Sequence, residues 1–248
     1  EEIKAVAKGL VANGVSFGDR VAIMAKTRYE WTVLDFAIWY AGAVPVPIYE
    51  TSSAEQVEWI LTDSSAVGII VETPALAELV QPVLPSSCKK VWNITYNALA
   101  TLTHEGKDIS DDEIAKRREK LKPETLATLI YTSGTTGVPK GAMLTHYNFM
   151  SDCYDAQELC PAIEKTDLYL SYLPLSHVFE RMATMYLGLF IGAQVAFAEN
   201  IEKVATNINE IRPTLMATVP RLLEKVYDKI YSRGADLDGI KKKLFYWA

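Results

Sequence analysis

Residues 131–141, with the sequence YTSGTTGVPKG, combine in one short segment the groups that could hold a charged ligand. Glycines allow tight turns that bring backbone N–H groups close to a ligand, and hydroxyls add further donors. These positions are Thr132, Ser133, Gly134, Thr135, Thr136, Gly137 and Gly141. Lys140 adds a positive charge. Dense donors around one cation suit a polyphosphate better than a neutral ligand, so the segment predicts a phosphate-binding loop.

The segment differs from the phosphate loop of kinases and GTPases, which requires G-x-x-x-x-G-K-[ST]. Pro139 stands where that pattern has its second glycine, and Gly141 stands where it has Ser or Thr. The alternative is an ordinary Gly/Ser/Thr loop without a ligand. Such loops rarely need four hydroxyl residues around two glycines ahead of Pro-Lys, and we therefore favour the binding function.

The loop must be positioned by the elements around it, and these alternate between strands and helices. Apolar runs predict strands at 20–25, 66–71, 90–94, 127–131, 168–172, 194–197 and 214–218. Capping patterns at Ser53–Gln56, Thr73–Pro74 and Ser110–Glu113 predict helix starts, and a further helix is expected to begin after Thr145. The alternation predicts an α/β fold with largely parallel sheets covered on both faces.

One segment and three tryptophans are predicted in more detail. The charged stretch 101–122 is the best candidate for an exposed connection. Trp31, Trp39 and Trp59 fall on helical faces and are interpreted as core residues.

Composition excludes several classes of protein. With 31 Asp and Glu against 25 Lys and Arg, the chain lacks the basic surface of a nucleic-acid binder. Its three cysteines show no CxxC spacing, which argues against a disulfide framework or a zinc site and favours a cytoplasmic protein. The apolar run 182–198 approaches the length of a membrane span, but its glycines favour a buried helix followed by a strand. Peripheral membrane contact and a homodimer both stay open.

Segment 131–141 resembles the phosphate-binding signature of the adenylate-forming (AMP-binding) superfamily. Further similarities follow in the family's order at 18–22, 41–47, 145–148 and 218–221. Within the superfamily, three segments resemble the long-chain fatty acyl-CoA synthetase branch: PIYETSS at 47–53, LPLSHVFER at 173–181 and VPRLLEKVY at 219–227.

The resemblance implies a reaction and roles for individual residues. ATP, Mg²⁺, CoA and a fatty acid would be the participants, with the acid activated as its acyl-adenylate and then transferred to CoA. The loop and Lys140 would hold the β- and γ-phosphates, and Thr132 would supply a hydroxyl near Mg²⁺. His177 would lie between the phosphates and the acyl carboxylate, although a structural histidine at a turn is the alternative.

The resemblance also implies two stacked lobes, with about 1–30 and 155–248 in one lobe and 31–154, including the loop, in the other. The family's later motifs are not found, among them the Tyr-Gly-x-Thr-Glu segment and the catalytic lysine of a C-terminal domain. We therefore expect the 248 residues to be the N-terminal part of a longer enzyme and to be inactive by themselves.

Two other functions compete with fatty acid activation. One is adenylation of another acid, aromatic or amino; the other is nucleotide binding without catalysis. Measuring adenylation across a panel of acids would distinguish the first alternative from fatty acid activation. The residues encoded after Ala248 would distinguish the second, because they would show whether the missing glutamate and lysine are present.

Overall fold

The computed structural model describes residues 1–132 and 138–247, without the side chain of Lys225. Its first part is built on a parallel sheet of four strands, in the order β2-β1-β3-β4. The strands are β1 (Arg20–Met24), β2 (Val44–Ile48), β3 (Gly68–Val71) and β4 (Lys90–Asn93). Most residues of β1, β2 and β3 are buried on both faces, as expected for a parallel sheet covered by helices.

Six α-helices and a short 3₁₀ helix accompany this sheet. They are α1 (Glu2–Ala12), α2 (Tyr29–Tyr40), α3 (Ala54–Asp63), α4 (Pro74–Val80), the 3₁₀ helix Gln81–Val83, α5 (Ala98–Glu105) and α6 (Asp111–Glu119). The predicted helix starts at Ser53, Thr73 and Ser110 are confirmed, because each side chain accepts a bond from a backbone N–H of the first turn. At Ser53 the capping box with Gln56 is complete.

Segment 101–122 is mostly exposed, as predicted, but it is largely helical and anchored to the core. Helices α5 and α6 occupy most of it, and Leu102 and Ile114 are buried in the core. The Arg117 guanidinium donates to the carbonyls of Val15 and Ala41, both at 2.9 Å. Its dense charges lie at the surface, while a few apolar residues anchor it to the core.

Strand β2 carries prolines at 45 and 47 and lies at the edge of the sheet. Because proline has no N–H, strand prolines are tolerated at edges. The neighbouring strand β5 (Leu126–Thr132) reaches this edge through Thr128, whose hydroxyl donates to the Pro45 carbonyl at 2.7 Å.

Strand β5 pairs antiparallel with β6 (Lys140–Thr145), which the sequence did not predict. The expectation of largely parallel sheets therefore holds for the other two sheets but not for this pair. Helix α7 (His146–Leu159) follows directly, with Thr145 and Asn148 forming a capping box as expected at that helix start.

The later part of the chain contains a parallel pair, β7 (Leu168–Ser171) and β8 (Gln194–Phe197). Between them run α8 (Val178–Glu180), a π-helical segment (Arg181–Tyr186) and α9 (Leu187–Ile191), followed after β8 by the 3₁₀ helix Ile201–Lys203, α10 (Val204–Ile211), α11 (Pro220–Ala235) and α12 (Gly239–Trp247). The predicted strand at 214–218 makes only an isolated bridge between Leu215 and Tyr169.

The apolar run 182–198 forms helix and then strand, as predicted. Across residues 1–132 and 138–247, no helix combines the length and the apolar character needed to cross a membrane.

The predicted lobe division needs one correction. Strand β1 was grouped with 155–248, yet it hydrogen-bonds to β2 on one side and β3 on the other. The first strand therefore belongs to the sheet of 31–154. One buried cluster also runs from α1 and α2 to Leu175, Met185 and Tyr186, so the core continues across the predicted boundary. The rest of the division stays a prediction.

Candidate functional site

The antiparallel pair β5–β6 places the two ends of the predicted phosphate loop side by side. Thr132 at the end of β5 is the register partner of Lys140 at the start of β6. Both are exposed, and Lys140 makes no ion pair with any described residue. Ser133, Gly134, Thr135, Thr136 and Gly137 lie outside the described residues, so their predicted contacts stay predictions. Thr132, with its hydroxyl, and Lys140, with its positive charge, thus lie opposite each other at the ends of the two strands.

His177 lies at the N-cap of α8, and its ring has a defined hydrogen bond. Its Nδ1 accepts from the backbone N–H of Phe179 at 3.1 Å, which satisfies one of the free donors of the helix start. An accepting Nδ1 carries no proton, so the neutral ring carries its proton on Nε2. The fold therefore presents His177 as a hydrogen-bond donor through Nε2.

His177 lines a largely apolar cavity of about 450 Å³. The wall is formed by Leu173, Pro174, His177, Phe179, Glu180, Thr218, Val219 and Pro220. It joins two segments singled out in the sequence, 173–181 and 218–221. Thr132 and Lys140 are not among these wall residues, so the structure places these two opposite each other but does not put either in the wall beside His177.

Glu180, which sequence analysis did not select, is a fully buried acid in the same wall. Its Oε1 accepts from the Ser171 hydroxyl at 2.7 Å and from the Tyr172 N–H at 3.3 Å. Burial raises the pKa of Glu180 to about 7, although hydrogen bonds from Ser171 and its neighbours oppose the shift. A carboxyl that changes charge near neutral pH thus lies one turn from His177.

The raised pKa of Glu180 predicts that the stability of the protein depends on pH. A carboxyl that is easier to protonate when folded stabilises the fold at low pH and loses that contribution as the pH rises from its ordinary 4.5 to about 7. The loss is on the order of 3 kcal/mol. Glu180→Gln keeps an oxygen acceptor without the charge, so the full-length variant should lack this pH-dependent loss.

Unfolding midpoints measured between pH 4.5 and 8 would check this. Glu124→Gln, which removes an exposed carboxylate, serves as the control and should follow the wild type. Parallel curves for wild type and Glu180→Gln would contradict the prediction.

A buried ion pair ties the helix after His177 to the rest of the core. The Arg181 guanidinium pairs with Asp35 of α2, and both side chains are 0% exposed. Arg181 also donates to the Thr128 hydroxyl at 2.9 Å, and the Tyr186 hydroxyl donates to Asp35 at 2.6 Å. Thr128 lies on β5. Arg181 therefore connects the helical segment after His177 to the strand that leads into the phosphate loop.

The sequence analysis did not identify Asp35, or the neighbouring residues Glu180 and Arg181, as buried charged residues. A signal existed in each case, because Asp35 interrupts the apolar stretch of α2 and Glu180–Arg181 stand directly before an apolar run. Fully buried Asp, Glu and Arg are rare unless paired, so such interruptions deserve testing as buried partners. The sequence offers no way to tell which charges meet.

The chain matches the AMP-binding enzyme family over residues 1–245. It therefore belongs to that family, whose model spans both the hairpin and the His177 cavity. A likeness to solved structures agrees: a long-chain-fatty-acid-CoA ligase, FadD1 from Archaeoglobus fulgidus, superposes with a TM-score of 0.80 at 27% identity, over 94% of this chain and 46% of that one.

Relatives of known type indicate which branch of the family the chain resembles. The long-chain-fatty-acid–CoA ligase FadD15 of Mycobacterium bovis is 42% identical over 241 residues, covering 95% of this chain and 40% of that ligase. Fatty acyl-CoA synthetase A of Dictyostelium discoideum is 31% identical over 259 residues, covering 98% of this chain and 38% of that enzyme. The predicted superfamily and its acyl-CoA synthetase branch are confirmed, and the chain spans about 40% of the length of these relatives.

Proposed function

We propose that the full-length protein activates a long-chain fatty acid with ATP and transfers it to CoA. The observation that carries the proposal is His177, which presents an Nε2–H donor at the wall of an apolar cavity. A largely apolar wall that includes a hydrogen-bond donor suits a ligand that has a hydrocarbon chain and a carboxylate. The names of the relatives support the same substrate class.

In the first half-reaction a carboxylate oxygen attacks the α-phosphorus of ATP, and the bond to pyrophosphate breaks. Two anions must approach each other, so the site has to neutralise charge and fix the line of attack. The loop and Lys140 would hold the β- and γ-phosphates, while His177 would donate to the carboxylate or the phosphate. In the second half-reaction the CoA thiolate attacks the acyl carbonyl and AMP leaves.

Mg²⁺ fits the residues of the hairpin. Mg²⁺ is commonly held by few protein groups together with substrate phosphate oxygens. The exposed Thr132 hydroxyl beside Lys140 is a neutral oxygen ligand of that kind. Within the described part of the chain no three His, Cys, Asp or Glu residues form a metal cluster. Thr132 would therefore bind an Mg²⁺ ion that arrives with ATP. That ion and Lys140 would together balance the negative charge of the ATP phosphates.

Pyrophosphate release by the full-length protein, measured with a panel of carboxylic acids, tests the substrate class. Long-chain fatty acids should be activated faster than aromatic acids or amino acids, with formation of the matching CoA thioester. Preference for an aromatic or amino acid would replace the proposed substrate, and nucleotide binding without pyrophosphate release would overturn the enzymatic proposal.

A substitution at His177 should separate the two half-reactions. If its Nε2–H bridges acid and phosphate, His177→Ala should slow acyl-adenylate formation by roughly 100-fold, the scale for loss of one preorganised donor. Thioester formation from supplied acyl-adenylate should change much less.

His177→Asn is the matched variant, because its side-chain oxygen can still accept from Phe179 N–H as a helix cap. It should keep the stability of the wild type and still lose adenylation. Equal losses in both half-reactions, or full adenylation by His177→Asn, would show that His177 is only a cap.

A further inference from the structure

Helix α3 makes a hydrogen bond to each end of the phosphate loop. The Trp59 indole N–H donates to the Pro139 carbonyl at 2.8 Å, and the Tyr131 hydroxyl donates to Asp63 at 2.6 Å. Tyr131 and Pro139 flank residues 132–138, and Pro139 directly precedes Lys140. One helix thus contacts the chain on both sides of the segment that would hold the nucleotide.

The two helix residues are placed for this task. Trp59 and Asp63 are four positions apart and so lie on the same face of α3. The opposite side of the helix is anchored, because Val57 and Leu61 are fully buried against the parallel sheet and the Ser53–Gln56 capping box fixes its start. The prediction that Trp59 is a core residue is wrong, since it is 41% exposed and its N–H is used at the loop.

The strands at the base of the loop are also tightly packed. A Cβ atom at Gly141 would lie 3.1 Å from the Tyr131 ring, closer than an ordinary van der Waals contact, so the Tyr131 ring packs closely over this glycine. Burial and the neighbouring Asp63 raise the pKa of Tyr131, so its hydroxyl keeps the proton that it donates. Side chains of α3 and of β5 therefore pack around the base of the loop.

We infer that Trp59 and Asp63 are positioning residues for the nucleotide, holding Pro139 and Tyr131, and with them Lys140, in the arrangement that binds ATP. The inference rests on the proposed function for the identity of the reaction. Loss of the indole N–H frees the Pro139 carbonyl, so the backbone that precedes Lys140 must be fixed in place when ATP binds. A cost that arises on ATP binding raises the KM for ATP and leaves the KM for the fatty acid unchanged.

Trp59→Phe in the full-length protein removes this donor while keeping an aromatic ring. One lost hydrogen bond predicts a rise in the KM for ATP of about 3- to 10-fold. The kcat and the KM for the fatty acid should stay within about twofold of the wild type. Trp59→Phe combined with Asp63→Ala should raise the KM for ATP further.

Trp39→Phe is the matched control, because the Trp39 indole also donates to a backbone carbonyl at 2.8 Å, that of Ala127 at the far end of β5. It should lower stability without changing the ratio of the two KM values. Equal effects of the two substitutions on that ratio, or no effect of Trp59→Phe, would overturn the inference.

A second measurement does not depend on catalysis. Hydrogen exchange of peptides covering 131–141, without nucleotide, should be faster in Trp59→Phe than in the wild type and unchanged in Trp39→Phe. Equilibrium binding of Mg·ATP should weaken in parallel. If the wild type activates no fatty acid, the proposed function fails while these two measurements still decide the role of α3. Unchanged exchange and binding in Trp59→Phe would overturn that role.

Discussion

Lys140→Ala in the full-length protein should reduce fatty-acid-dependent pyrophosphate release by about 30- to 900-fold. Loss of one preorganised charged donor costs about 2–4 kcal/mol of transition-state stabilisation, which corresponds to that range. The structure places Lys140 at the base of the loop, opposite Thr132 and directly after the carbonyl that Trp59 holds. Single-turnover assays with saturating ATP would separate the effect on the chemical step from weaker binding.

Lys116→Ala is the matched control for this experiment. It removes another exposed lysine, from α6, and changes the net charge by the same amount, away from the loop. It should leave pyrophosphate release unchanged. An undiminished rate in Lys140→Ala would show that the lysine is only a solvated surface residue.

Asp35→Ala should destabilise the full-length protein by about 3–5 kcal/mol, the cost of leaving a buried charge without its partner. Arg181 is 0% exposed, and Asp35 is its only carboxylate partner among residues 1–132 and 138–247. The substitution also leaves the Tyr186 hydroxyl without its acceptor. Asp112→Ala, at an exposed position of α6, should have little effect.

Removing the other partner of the ion pair, Arg181, should destabilise the protein less. Arg181→Met leaves Asp35 buried, but burial raises the pKa of that carboxyl, and a protonated acid can remain in place uncharged. Guanidinium has no such neutral form in proteins. Chemical unfolding of both variants at two pH values would test the asymmetry, and Arg181→Met should be relatively more stable at the lower pH. Equal losses for both variants would mean that the pair acts through packing rather than charge.

Local patterns in the sequence predicted much of this architecture. The capping box at Ser53 and the proline start at Thr73–Pro74 depend on residues within one helical turn, so neighbouring residues specify them. The apolar strands at 20–25 and 66–71 were also recognised, because continuous runs between turn residues are typical of buried strands. Segment 131–141 also resembles the family's phosphate-binding signature through residues that are contiguous in the chain.

Other features depend on partners distant in the chain. Strand β6 has no clear alternation of apolar and polar residues and is a strand because β5 pairs with it. The position of β1 between β2 and β3 is likewise decided by hydrogen bonds between separate segments. Strand pairing is a long-range choice, so residue patterns within each strand do not reveal it.

The candidate site shows the same division. The sequence by itself predicted that Thr132 and Lys140 belong to a phosphate-binding segment, and the resemblance to the family implied that His177 could serve as a donor. Only the tertiary structure decided that Arg181 meets Asp35, 146 residues away, and that Trp59 meets Pro139, 80 residues away. The physical reason is that a side chain's type states what it can bond to, while its burial and its partner are properties of the whole packed chain.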